Sequence, residues 1–480
     1  MQFSTKDKIT KSYDVIVIGG GLAGLTLANK MGKDGRSVLL LESHNKLGGF
    51  ATWFKRKSDH GSEHIFDISL HGFPVGMIKT CRKYWSKEIA DKIHQLTSVR
   101  YINPQFSVET DFTKTDFIKV LQEKFGVDKN TVEAFFNELS IMNFYDNSKM
   151  TNGELFQKYF PNRSDITRFL LEPIVYANGS NLEDPAISYG IVFSNFMSKG
   201  VYIFRGGTDL MISMMKDELI KNNVDIQLQA RVDKVIVENK RVIGVEVKGH
   251  KIFSRSVVSN SNLKSTIEKI VGAEHFSDVY KTSAKAVRLN TSSCQVYIGL
   301  KKGETIPFIG DLIFTSVDED FSTELILSPK VGSQTFSIYY PEMRPDISPQ
   351  YAIVSSSNAR FEDYENLSET EYETQKKYLI ERALAGIERI VPGIREKIDF
   401  VEAATPRTFK RYTLHEKGSS FGTKFEGLPI SMNMHKELPG MFHAGSVGII
   451  MSGWLGAANY GVIQAHEVDN YLTQLEKINL

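Results

Sequence analysis

Several shortages in this sequence each narrow what it can do. Only two cysteines, Cys81 and Cys294, occur in 480 residues. They offer neither a disulfide framework nor metal-ligand spacing and read as reduced thiols of a cytosolic protein. An excess of one charge is also missing. The 58 basic and 57 acidic side chains leave a formal charge of +1, so no polybasic surface for nucleic acid stands out. The opening "MQFSTKDKITKSYD" lacks the apolar run of a signal peptide. One long apolar stretch exists, "MFHAGSVGIIMSGWLGAANYGVI" (441–463), but its repeated glycines suit a buried turn around a ligand better than a membrane span. No Ser-His-Asp order, catalytic carboxylate pair or GxxxxGK[ST] stretch stands out. The shortages point to a cytoplasmic chain without transmembrane helices.

What is present is an ordinary globular mixture, 41% apolar and 24% charged, long enough for two to three domains. Its most informative stretch is "VIVIGGGLAGLTLA" (15–28). A buried strand runs into bare glycines and then a helix, and "SVLLLE" (37–42) supplies a second parallel strand. In such a unit Gly19 makes the tight turn, Gly21 lets the backbone approach a pyrophosphate, and Gly24 permits close strand–helix packing. The helix start at Leu22 and Ala23 faces the phosphates. Glu42, with Ser43 beside it, ends the second strand at the distance expected of a carboxylate that holds ribose hydroxyls. The combination predicts a bound dinucleotide.

Further along, 111–200 has helical periodicity and 285–415 carries alternating strands and a long helix near 368–391. Glycine-rich sequence returns at 440–461. The two glycine-rich ends are expected to meet, with the middle inserted between them. This gives an α/β architecture, a Rossmann-like dinucleotide-binding domain with an inserted α+β substrate domain. Residues 1–110, 201–284 and 416–480 are assigned to the first domain, and 111–200 and 285–415 to the second.

Four stretches carry a resemblance. "DVIVIGGGLAGLTLA…LLLESHNKLGG", with Gly48 and Gly49, is similar to an N-terminal FAD signature. "HIFDISLHGF" (64–73) sets Asp67 and His71 at a recurring spacing. "FRGGTDLMISMMKDEL" is followed by a strand beginning near Val232. "LPGMFHAGSVG…GWLGAANYG" holds Gly445, Ser446, Trp454, Leu455 and Gly456. Together they resemble the FAD-dependent phytoene desaturase, carotenoid isomerase and retinol saturase family, with amine oxidases as distant relatives. Two positions depart from the family pattern: Ser446 replaces an Asp, and Phe50 replaces the Arg that follows the glycine pair.

The resemblance implies FAD, a hydrophobic small-molecule substrate, and hydride transfer to or from flavin N5 at carbon–carbon double bonds. Desaturation, saturation and cis–trans isomerisation share that geometry. It also implies that Val232 contacts the adenine, that Ser446 holds ribityl or phosphate oxygens, and that Phe50 and Trp454 line the flavin. His71 is the implied proton donor or acceptor. The other histidines of that region, His44, His60 and His64, match no metal spacing. Aromatic residues Phe193 and Phe196 are expected to line a substrate tunnel and dock its mouth on a bilayer. Two alternatives stay open: a flavin amine oxidase acting on a C–N bond, and a non-catalytic FAD-containing binding protein.

Overall fold

The computed structural model describes residues 12–69, 72–142, 149–197, 199–330, 332–344 and 350–478. Its first sheet has a parallel core that runs Asp225–Gln227, Val38–Leu41, Tyr13–Ile18, the second half of His250–Ser259, and Met441–His443. Val15, Val17, Leu39 and Leu40 are almost wholly buried, because helices cover both faces of such a sheet. The hairpin Val232–Glu238 and Arg241–Val247 extends it antiparallel, turning at Asn239 and Lys240, whose φ values are 48° and 57°.

The two ends of the chain meet on this sheet. The helix Leu22–Lys33 packs against the terminal helix Gly453–Ile478. Arg36 bridges to Asp469 (2.8 Å) and Glu476 (2.5 Å), and Arg255 joins Asp14 (3.0 Å) to the same glutamate (2.8 Å). Partly exposed ion pairs add little stability each, so the apolar seam of Ala23, Leu27, Ala458, Ala465 and Val468 carries the packing.

A second seven-stranded sheet runs Ile398–Ala404, Ser292–Leu300, Ala352–Ala359, Gln334–Tyr339, Leu312–Thr315, Val99–Ile102 and Ser107–Thr110. Its last two strands come from within residues 1–110, so the second sheet recruits chain from the N-terminal stretch. The helix Glu369–Ile390 packs on one face through Leu379, Ala383 and Ile387.

Helices between Lys114 and Met197 form an aromatic cap. Phe117 stacks on Phe169 with centroids 4.5 Å apart, and Tyr189 stacks on Phe193 at 5.0 Å. Phe193 is therefore 0% exposed, which corrects its expected place at a tunnel mouth. Helical spacing marks it as apolar without saying that a neighbouring helix covers it. The side chain of Phe196 lies outside the described residues. Among the described residues no helix is long and apolar enough to cross a membrane.

Candidate functional site

One cavity of about 1880 Å³ runs between the two sheets. Its wall begins at the C-terminal end of Tyr13–Ile18, where ligands of open α/β sheets sit. Gly19, Gly21, Leu22, Ala23, Glu42, Ser43, Gly48, Gly49 and Phe50 form one side of it, joined by Val232 from the hairpin. Ser446, Trp454, Leu455 and Gly456 close over from the C-terminal segment.

Local physics explains the turn. Gly19 has φ of +99°, a conformation that side chains rarely adopt. Gly24 lies off the cavity wall: a Cβ there would stand 2.2 Å from the Gly19 carbonyl oxygen, so its bareness serves strand–helix packing. Gly445 also sits behind the wall, where a Cβ would meet the Ser261 carbonyl oxygen at 2.1 Å. Gly48 donates its backbone N–H to the Gly20 carbonyl at 2.7 Å, so the second glycine pair docks directly onto the first turn.

The helix Leu22–Lys33 has no side-chain cap and no acidic residue in its first turn. Its amides at the cavity wall therefore keep the positive end of the helix dipole open to an anion. Glu42, 9% exposed, accepts from Gly20 N–H and from His44 N–H, each at 2.7 Å, and from the Ser43 hydroxyl at 3.1 Å. A carboxylate offers about four acceptor sites, so one stays available toward the cavity. Bare turn, open helix end and carboxylate fit a dinucleotide.

Two residues with no local sequence signal join the site. Asn260 directly follows the neighbouring parallel strand, and its amide donates to the Gly19 carbonyl at 3.3 Å. It occupies the space beside Gly21, where a Cβ would come 2.8 Å from its nitrogen. The bareness of Gly21 thus accommodates Asn260 as well as the approach to the cavity. His415 lies in the wall with its ring edge-on to Phe50, centroids 5.2 Å apart. Its Nδ1–H donates to the Ser419 carbonyl at 3.1 Å, and burial holds its pKa below the ordinary histidine value.

Trp454 stacks on Phe73 at 5.2 Å and 14°, and its indole N–H donates to the Ser69 hydroxyl at 3.2 Å. Ser69 donates in turn to the Phe50 carbonyl at 2.7 Å. The far wall comprises Tyr297, Phe314, Thr335 and Ser356 of the second sheet, with Pro173, Ile174 and Tyr176 of the helical cap.

Other sequence candidates go elsewhere. His71 lies outside the described residues. Asp67 is buried off the wall, paired with Arg344 at 2.6 Å and accepting from Thr208 N–H at 2.8 Å, so it anchors the Gly206–Gly207 helix start. His64 donates to Asp399 at 2.6 Å, both buried. His44 lines the cavity and His60 is exposed. Among the described residues no group of histidine, cysteine and carboxylate side chains could hold a metal.

The NAD(P)-binding Rossmann-like domain family matches residues 17–84. A chloroplastic prolycopene isomerase from Arabidopsis thaliana is 25% identical, covering 98% of this chain and 84% of its own length. The all-trans-retinol 13,14-reductase of Homo sapiens is 21% identical over 95% and 85% of the two chains. Along nearly its whole length the chain is similar to carotenoid and retinoid oxidoreductases. A putrescine oxidase solved with putrescine bound shares the fold of this chain, with a TM-score of 0.65, 12% identity, and coverage of 96% and 99%.

Proposed function

We propose that this oxidoreductase uses FAD to act on carbon–carbon double bonds of a hydrophobic polyene, by saturation, desaturation or isomerisation. The observation that carries this reading is the unbroken cavity from the glycine turn to the second sheet. At about 1880 Å³ it exceeds the few hundred to about 1,000 Å³ of ordinary ligand pockets, which leaves space for a dinucleotide and a long second molecule.

In this reading the first amides of Leu22–Lys33 hold the diphosphate, and the free acceptor site of Glu42 takes a ribose hydroxyl. Val232 lies along the adenine. Gly48, Gly49 and Phe50 back the ring end, and Ser446, Trp454, Leu455 and Gly456 cover it. A flavin bound there supplies two-electron exchange with carbon. The chain's own part is to align the polyene along Tyr297, Phe314 and Ile174 and to keep water from it. The family spacing puts His71 forward as one residue that could handle the proton. The polyene relatives, matched over nearly the whole chain, support the substrate class. A peripheral membrane surface would serve delivery of such a substrate.

Purified protein should be yellow with oxidised-flavin absorbance. Incubated with prolycopene or all-trans-retinol under reducing and oxidising conditions, it should yield a product shifted by two hydrogens in mass or by retention time alone. A colourless protein that takes up no FAD, or a flavoprotein that bleaches with amines and leaves both polyenes unchanged, would overturn the proposal.

A further inference from the structure

His415 has a combination of features that its surroundings do not otherwise use. Its Nδ1–H is committed to the Ser419 carbonyl at 3.1 Å, which fixes the neutral tautomer with the lone pair on Nε2. Nε2 has no hydrogen-bond partner among the described residues, and it is not a buried atom. His415 is a residue of the cavity wall, and Nδ1 is turned to Ser419, so Nε2 is the ring nitrogen left for the cavity. The ring stands at 74° to Phe50, the residue that follows the second glycine pair.

The turn that carries His415 is held firmly. Leu414 and Lys417 on either side have φ of 58° and 52°, unfavourable for side-chain-bearing residues, and such conformations persist only where the surroundings impose them. The surroundings here are the strand Ser292–Leu300 and its approach: Ser292 donates to the Gly418 carbonyl at 2.6 Å, and Ser420 N–H donates to the Thr291 carbonyl at 3.0 Å. A strained, docked turn that presents one uncommitted imidazole nitrogen to a cavity is an arrangement for chemistry.

We infer that His415 Nε2 accepts and returns the proton of the carbon substrate. The inference rests on the proposed polyene chemistry and gives His415 the proton role that the family spacing would give His71. Turning a CH–CH pair into a double bond removes two hydrogens. One leaves with its electron pair to a two-electron acceptor of the flavin class. The other leaves as a proton to Nε2, its bonding electrons becoming the new π bond, and the imidazole becomes imidazolium. Saturation runs the same transfers backwards, and Nε2 regains its lone pair.

His415→Asn tests this, because the asparagine amide can keep the donor to Ser419 while nothing replaces Nε2. The FAD-loaded variant should match the wild type in flavin absorbance and melting temperature. With whichever of prolycopene and all-trans-retinol the wild type converts, it should lose at least about 100-fold in kcat. Independently of turnover, ¹⁵N-histidine spectra should show one unprotonated Nε2 resonance, absent in the variant, that moves when polyene is added to the wild type. Turnover within about threefold of wild type would overturn the inference alone. So would a loss confined to KM or flavin binding, or an Nε2 resonance that polyene leaves unmoved. A wild type that converts neither polyene would instead remove the functional reading beneath it.

Discussion

Asn260 fills the space that a side chain on Gly21 would need: its amide nitrogen lies 2.8 Å from where a Cβ would stand. At Gly24 the obstacle is rigid, the Gly19 carbonyl oxygen at 2.2 Å, whereas Asn260 is a side chain that can be removed. Overpacking of this kind costs about 1–3 kcal/mol. Gly21→Ala should therefore lower stability and weaken cofactor retention, and Asn260→Ala in the same chain should recover a large part of the stability. Gly24→Ala should stay destabilised with or without Asn260→Ala. Denaturant midpoints of these variants, with Asn260→Ala alone, measure both couplings.

Glu42 carries two backbone amides on separate carboxylate oxygens, Gly20 N–H on Oε2 and His44 N–H on Oε1. A glutamine offers one acceptor oxygen for the two. Glu42→Gln should leave one amide unpaired, at about 1–3 kcal/mol, and place an NH₂ donor in the turn. The expected result is a lower unfolding midpoint together with a weaker dissociation constant for FAD, read by flavin fluorescence. Glu42→Asp should also fail to restore both, since the shorter side chain withdraws from Gly20.

Much of this end of the molecule is legible in the sequence because its signals are local. The glycine turn, its strand and helix, and Glu42 all lie within thirty-odd residues and obey backbone rules that hold before any tertiary contact forms. The hairpin turn at Asn239 and Lys240 is local in the same way. Asn260 and His415 were not legible. Asn260 reaches the turn only because Ser259 pairs with Ile18, and His415 faces the cavity only because its turn docks on a strand more than a hundred residues earlier. Asp67 shows a related limit: its spacing matches a family element, but its buried partner Arg344 is set by the fold. Phe193 misled because periodicity shows which face of a helix is apolar, not what covers it.

Trp454 links the terminal helix to the second glycine pair through Ser69 and the Phe50 carbonyl. Trp454→Phe should keep much of the stacking on Phe73 and lose only the indole hydrogen bond, about 0.5–1.5 kcal/mol. Ser69→Ala should cost a similar amount and remove the same bridge. Because both act on one chain of hydrogen bonds, the double variant should be less destabilised than the sum of the singles. A double-mutant cycle on urea unfolding checks this, and strict additivity would show that the bridge does not couple the two segments.

Arg168 and Glu172 form a buried ion pair at 3.3 Å under the helical cap, close to the cavity residues Pro173 and Tyr176. Burial pushes the Glu172 carboxyl up to about 7 despite its partner, since removing the charge from water outweighs the attraction of Arg168. The folded protein then binds one proton more than the unfolded chain between the ordinary glutamate value of 4.5 and about 7. Stability follows the difference in protons bound, unfolded minus folded, so this group makes stability fall as pH rises through that window and level off above it. In Glu172→Gln the amide cannot titrate, and this part of the slope should vanish. Melting temperatures of wild type and variant at half-unit steps from pH 4.5 to 8 would show two curves that approach each other toward the acid end. Parallel curves across the window would mean that Glu172 is ionised throughout and that Arg168 compensates its burial in full.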